Sequence, residues 1–288
     1  MRGLLPAVRP YDSSMTDSAD TRAVRTLDAV TVRVRAGNAS ALQLSGTNTY
    51  LVGDPAAGEV LVVDPGPELP GHRAAIEATL AERGVAVAAV VVTHHHRDHS
   101  AAVGWAGEWG AAAYAFDPSR VPGTRPLADH APLPVAGVGV TARHLPGHTS
   151  DHVCLQIAET GVVLSGDHVL GQGTTFLAWP DGDLGQYLAS LRELRAMRPS
   201  ALYPGHGEVV EQPAERIDAL VAHRAQRSAQ ITAALAAGAQ TVPEIVARVY
   251  PGLDDHLVAA AGRTVTAHLD ALEQQGSARR TGDRWHGA

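Results

Sequence analysis

Short apolar runs closed by glycine, proline or aspartate alternate with stretches whose apolar positions recur every three to four residues. The runs predict strands at 30–34, 41–44, 50–52, 60–63, 86–92, 112–115, 135–141, 153–157 and 162–164. The helical period predicts helices over 72–83, with Ala75, Ile76 and Leu80 on one face, over 100–108, and over 184–197, with Leu188, Leu191 and Leu194 in register. Further on, a helix is expected over 213–238, with Ile217, Leu220, Val221 and Ile231 as its stripe. Thr241 followed by Pro243 and Glu244 has the form of a capping box that starts a short helix to Val249. Pro251-Gly252 breaks that helix, and another is expected over 254–275 with Val258, Val265, Leu269 and Leu272 inward. Two short strands about Gly282-Asp283 close the chain. The expected divisions are a flexible tail at 1–21 (Met15 within it being a candidate start), a large domain over 22–212, a connecting helix over 213–240 and a small domain over 241–288.

Composition narrows the class. The chain has 288 residues, 45% hydrophobic and 18% charged, enough for one large core and a smaller one. No apolar run approaches the roughly 20 residues of a membrane span. With a single cysteine, Cys154, there is no disulfide framework, and a buried structural thiol in a cytoplasmic protein is expected. All 23 basic residues are arginine, which excludes Schiff-base lysines and lysine-type phosphate loops. A net charge of −7 gives no general attraction to nucleic acid.

The chemistry concentrates where an apolar run ends. Residues 93–99 read Thr-His-His-His-Arg-Asp-His, directly after the strand expected at 86–92. Neutral imidazole and carboxylate at such density suit zinc and neighbouring divalent metals. Three later segments place a metal-capable side chain beside glycine after an apolar run: Pro146-Gly147-His148-Thr149, Ser165-Gly166-Asp167 and Tyr203-Pro204-Gly205-His206-Gly207. Glycine and proline let the backbone turn and present those side chains.

In this order the segments resemble the metallo-β-lactamase superfamily of zinc hydrolases, over about residues 28–210. The resemblance implies an αββα sandwich, an α/β (α+β) fold, with metals at one sheet edge. It assigns His94, His96 and His148 to one zinc and Asp98, His99 and His206 to a second, with Asp167 bridging. It further implies a metal-bridging hydroxide as nucleophile, Asp98 as the catalytic residue orienting it, and two zinc ions per chain, iron or manganese being acceptable to the same donors. Asp64 is expected to support the site without binding metal. The bridging aspartate resembles the glyoxalase II, lactonase and RNA-processing branches rather than antibiotic-destroying members. Three helices and a hairpin after this domain follow the winged-helix pattern. Together with Ser45-Gly46-Thr47-Asn48-Thr49-Tyr50, they resemble the lactamase-β-2-like family.

Other conspicuous residues carry looser expectations. His95 should point away from the metals, while His144 and His152 flank the His148 loop at hydrogen-bonding range. Asn48 (or Thr47), His168, Phe176 and Trp179 are candidates for lining the substrate site, with His168 also a candidate leaving-group acid. Trp105 and Trp109 suit the core. Long loops over 117–134 and 171–187 are candidate substrate loops. In the small domain, Arg279, Arg280 and Arg284 beside Trp285 could hold a single strand by charge and stacking. The competing expectation is that this domain covers the cleft or mediates a homodimer. The leading functional reading is hydrolysis of an ester or thioester of a small acyl compound. A single-strand-specific endoribonuclease comes second, and a non-catalytic, metal-stabilised nucleic-acid-binding protein third.

Overall fold

The computed structural model describes residues 23–177 and 179–288; the tail expected at 1–21 lies outside the described residues. The first sheet runs β1 (Val24–Thr26), β2 (Thr31–Arg35), β3 (Asn48–Val52), β4 (Glu59–Val63), β5 (Ala86–Val91), β6 (Ala112–Ala115) and β7 (Arg125–Pro126), in that spatial order. Its first half is antiparallel, and from β4 to β7 the strands are parallel. The second sheet holds β8 (Val140–His144), β9 (Val153–Ile157), β10 (Val163–Gly166) and β11 (Leu202–Pro204).

The period of two along each strand explains the layering. On β4, Leu61 and Val63 face a core shared with Val153, Leu155 and Leu164 of the second sheet. The alternate residues Val60 and Val62 pack outward against Ile76 and Leu80 of α1 (Pro70–Arg83) and Trp105 of the helical turn α3 (Trp105–Glu108), which follows the turn α2 (Arg97–Ser100). The second sheet's outer face, with Cys154, Val163 and Leu202, packs on Leu191 and Leu194 of α4 (Leu184–Ala196) and on Ile217 and Leu220 of α5 (Pro213–Ala236). This is the αββα sandwich.

Past it, α5, α6 (Val242–Val249), α7 (Asp255–Gln274), β12 (Ala278–Thr281) and β13 (Arg284–Gly287) enclose a separate core of Ile231, Leu235, Ile245, Val265, Leu269 and Trp285. The capping box at Thr241 and Glu244 forms as expected. Among the described residues no helix is long and apolar enough to cross a membrane.

Three expected elements differ. Residues 41–44 form a turn, because Ser40 Oγ accepts the amides of Leu42 and Gln43, each at 3.1 Å. The strand expected at 135–141 begins only at Val140; the amides of Ala136 and Gly139 bond the carboxylates of Glu59 and Glu159 instead of a strand. The helix expected over 100–108 is split into α2 and α3, since the amide of Ala102 turns to Gly66 O at 3.2 Å rather than to its helical carbonyl. The short strands β1, β7 and β11 were not expected from the pattern.

Candidate metal centre

Four chain segments meet at one end of the two sheets. They are the turn after β5, the β8–β9 connection, the end of β10 and the end of β11. The first brings His94, His96, Asp98 and His99; the others bring His148, Asp167 and His206. Coordinating atoms lie within 4.8 Å of one another in three groups: His94, His96 and His148; His94, His99 and Asp167; and Asp98, His99 and His206. The seven residues expected from the sequence are thus all brought together.

Outer hydrogen bonds leave one ring nitrogen of His94, His99, His148 and His206 facing inward. His99 Nδ1 donates to Asp64 Oδ2 at 2.8 Å, and His148 Nδ1 donates to Phe176 O at 2.5 Å. His94 Nδ1 lies 3.1 Å from Thr93 Oγ1, which itself donates to Asp64 Oδ2 at 2.8 Å. His206 Nδ1 faces Gly46 O at 3.3 Å. Such bonds fix the tautomer and leave the other nitrogen's lone pair for a cation.

Inward, nitrogen faces nitrogen. His96 Nδ1 is 3.0 Å from His94 Nε2 and 3.2 Å from His148 Nε2, and His99 Nε2 is 3.3 Å from His206 Nε2. Asp167 Oδ2 is 3.3 Å from His206 Nε2 and 3.9 Å from His148 Nε2, while its Oδ1 is buried with no hydrogen bond. Converging imidazole nitrogens and a buried carboxylate oxygen without a hydrogen bond, 3.5 Å from His99 Nε2, are the donor set a divalent cation requires. Two glycines keep the cradle open. A Cβ on Gly205 would lie 2.5 Å from Asp167 Oδ1, and one on Gly166, whose φ is +47°, would lie 2.7 Å from His152 Nε2.

The electrostatics divide the centre. Burial, helped by neighbouring imidazoles, lowers His94 well below the ordinary histidine range, lowers His96, and takes His148 down to about 3. Burial also opposes charge on His99 and His206, but Asp167 and its neighbouring carboxylates outweigh it. His99 is raised well above the ordinary range and His206 to about 9. Burial likewise disfavours the charged forms of Asp98 and Asp167, yet His99 and His206 hold both below the usual carboxylate range.

The supporting residues fall as follows. Asp64 takes the amide of Thr93 at 2.7 Å as well as His99, so it shapes the turn from behind. His152 Nε2 accepts the amide of Asp167 at 3.1 Å. His95 points away, to Asp151 at 2.9 Å. His144 stacks on Phe116 and reaches Ser150 O at 2.8 Å. Cys154 is fully buried and free, and burial pushes its thiol up. Trp105 and Trp109 pack into or against the outer core. One contributor was not foreseen: Gln43 Nε2 donates to Asp98 Oδ2 at 3.2 Å.

Several candidate lining residues are corrected. Asn48 is fully buried, and its amide donates to Pro204 O and Gly207 O, each at 2.9 Å, so it holds the His206 turn from behind. Thr47 is fully buried and bonded to Asn38. His168 is fully buried beside Tyr187 and lowered by burial to about 3, which removes it as lining residue and as leaving-group acid. Phe176 is half-buried and contributes its carbonyl. Trp179, also half-buried, donates Nε1–H to Asp270 Oδ2 of α7 at 2.6 Å. In the small domain, Trp285 is 2% exposed within the core. It offers no stacking face, since a base needs an open ring. Arg279, Arg280 and Arg284 are exposed, but Arg280 bonds Gly282 O and Arg284 bonds Gln240 Oε1.

Comparison with known proteins agrees with this geometry. Residues 42–206 match the family model described as the metallo-beta-lactamase superfamily, and residues 241–285 match the beta-lactamase associated winged helix domain. The chain is 32% identical over 276 residues to the Drosophila melanogaster beta-lactamase-like protein 2 homolog, covering 89% of this chain and 92% of that protein. It is 35% identical over 211 residues to an atrochrysone carboxyl ACP thioesterase of Paecilomyces divaricatus, covering 71% of this chain and 64% of the relative. Among solved structures, a metallo-beta-lactamase family protein from Thermus thermophilus superposes with a TM-score of 0.78 at 25% identity, over 91% of this chain and all of that one. The chain therefore belongs to the metallo-beta-lactamase superfamily of hydrolases and carries the winged helix domain associated with that family.

Proposed function

We propose that this protein is a dinuclear zinc hydrolase of acyl thioesters or esters. The observation that carries the reading is the pair of donor groups joined through Asp167, one of three imidazoles and one rich in carboxylate. Iron or manganese would suit the same donors. His94, His96 and His148 would hold one ion, and Asp98, His99 and His206 the other, with Asp167 between them. Bound there, two cations would supply a nucleophile from water at neutral pH and neutralise charge developing on the substrate oxygen.

The chain's own part follows from its bonds. Asp98, ionised and partly open to solvent, turns Oδ2 to His206 and Gln43, and its other oxygen would accept a hydrogen bond from the attacking water and so aim a lone pair at the acyl carbon. Asp64, Phe176 O and the hydrogen bond from the Asp167 backbone N–H to His152 Nε2 hold the donors rigid, so little reorganisation accompanies reaction. Thioesters are favoured because relatives at more than 30% identity include atrochrysone carboxyl ACP thioesterases. A small-molecule acyl substrate fits better than single-stranded RNA, because Trp285 is buried.

The test is thiol release from a short acyl thioester by zinc-loaded protein, with an Asp167→Ala variant as control and end-labelled single-stranded RNA assayed in parallel. Asp167-dependent thiol release supports the proposal. Asp167-dependent RNA cleavage without thiol release would overturn the acyl reading.

A further inference from the structure

We infer that the C-terminal unit is part of the metal-site scaffold, with Arg224, Asp270 and Trp179 as positioning residues for His148. The inference rests on the metal-dependent reading above. It starts from the segment after Asp167, which supplies the carbonyl of Phe176 that orients His148 at 2.5 Å.

That segment is gripped from the far side. Arg224 of α5 donates an Nη2–H to Thr175 O, the carbonyl one residue before Phe176. Arg216, two turns earlier on α5, donates to Leu170 O at 3.1 Å and Gly173 O at 2.6 Å. Trp179 reaches across to Asp270 of α7 at 2.6 Å. Thr175 Oγ1 and Tyr187 Oη both donate to His168 O at 3.0 Å, tying the segment back to the residue following Asp167.

Arg224 is unusual in its surroundings. It is 2% exposed, and among the described residues it forms no ion pair. The other deeply buried guanidinium, Arg33, meets Glu208 at 2.7 Å. A buried cation without a carboxylate is costly. Arg224 offsets that cost with a charge-assisted bond to Thr175 O and the face of Tyr187, 5.2 Å from the ring centre.

The docking of α7 is an independent observation. In winged helices that read DNA, a helix enters the major groove. Here Ala267 and Ala271 of α7 are buried in the same core as Leu191, Leu194, Ile217 and Leu220 of the metal domain. That face is already committed to the hydrolase.

The experiment uses full-length protein loaded with cobalt(II), titrated against a competing chelator and followed by visible absorption. His96→Ala identifies the signal of the three-histidine position. Asp270→Ala, Trp179→Phe and Arg224→Gln should each weaken that position by about tenfold or more and alter its spectrum, as loss of an orienting partner does. The other position should stay at wild-type affinity, and Arg224→Lys should restore part of the loss. Should Arg224→Gln fail to fold, the half-buried Asp270 and Trp179 still decide the matter. Wild-type affinity and spectrum at both positions in those two variants overturn the inference alone. Wild-type protein that binds no metal overturns the metal-dependent reading and this inference with it.

Discussion

The two halves of the histidine cluster are built from one kind of side chain and behave in opposite ways. His94, His96 and His148 lie among imidazoles, and burial keeps them neutral. His99 and His206 are equally buried but sit against Asp64, Asp98 and Asp167, which hold protons on them. The first half is a set of lone pairs ready for a cation. In the second half a proton occupies the place of the cation, and a metal must displace it. Burial alone therefore does not decide the state of a histidine; the carboxylates within reach do.

Asp167 joins the halves, so its removal should have the largest effect. Asp167→Ala is expected to lower kcat/KM for an acyl thioester by about 1,000-fold, the upper end for removing one preorganised stabilising group. Metal analysis should show fewer than two ions per chain. Two ions retained with near wild-type turnover would mean the halves do not work as a unit.

The pH dependence tests the contrast directly. His206 is raised to about 9 from 6.5, so its share of metal-free stability is fully present below pH 6.5 and is lost as pH rises through about 9. His148 is lowered to about 3, so the unfolded chain takes up its proton first and stability falls as pH drops from 6.5 toward 3. Metal affinity of the carboxylate-rich half should therefore rise between pH 7 and 9 by up to about tenfold per unit for each proton displaced. The three-histidine half should be flat over that range. Chelator competition at pH 7, 8 and 9 measures both, and equal slopes would erase the distinction.

The donors themselves were legible because they sit at fixed local spacing beside glycines, after apolar runs that end at a sheet edge. The sandwich was legible for the same reason, since β5 is an uninterrupted apolar run and β4 and β9 are apolar but for Glu59 and Gln156. What stayed hidden depends on distant chain meeting the site. Gln43 lies 55 residues from Asp98, and Phe176 acts through a carbonyl that every residue possesses. His168 looked available because it follows Asp167 in sequence, and Asn48 because the resembled family places its strand at the active-site face, but core packing and strand pairing turn both inward. The burial of Trp285 follows from the strand pattern. On a strand, neighbours face opposite sides, so an exposed Arg284 already implies an inward Trp285.

Asp64 offers a graded test, because it touches one half directly and the other through a relay. Its Oδ2 accepts from His99 Nδ1 and from Thr93 Oγ1, and the latter faces His94. Asp64→Asn should weaken the carboxylate-rich position by about 10–100-fold, the usual cost of an altered supporting partner. The three-histidine position should lose less, as the relay bends before it breaks. Equal losses, measured by the same competition, would show that the turn at 93–99 moves as one body and that the halves share their support.

The smallest expected effect concerns Gln43, the one supporting side chain that approaches from the turn at 41–44. Asp98 Oδ2 already faces His206 Nε2 at 3.2 Å, so the amide of Gln43, also at 3.2 Å, is its second partner. The donor is a neutral amide and the pair is partly open to solvent, which leaves this bond to the Asp98 carboxylate contributing about 1 kcal/mol. Gln43→Ala is therefore expected to lower kcat/KM by about fivefold while metal content stays unchanged. Asp98 keeps His206 and its charge, so what it loses is a restraint on its rotation, which affects how well it aims the attacking water. A loss of metal in this variant would instead make Gln43 part of what holds the carboxylate-rich half together. That half would then depend on the 41–44 turn as the three-histidine half depends on the segment carrying Phe176.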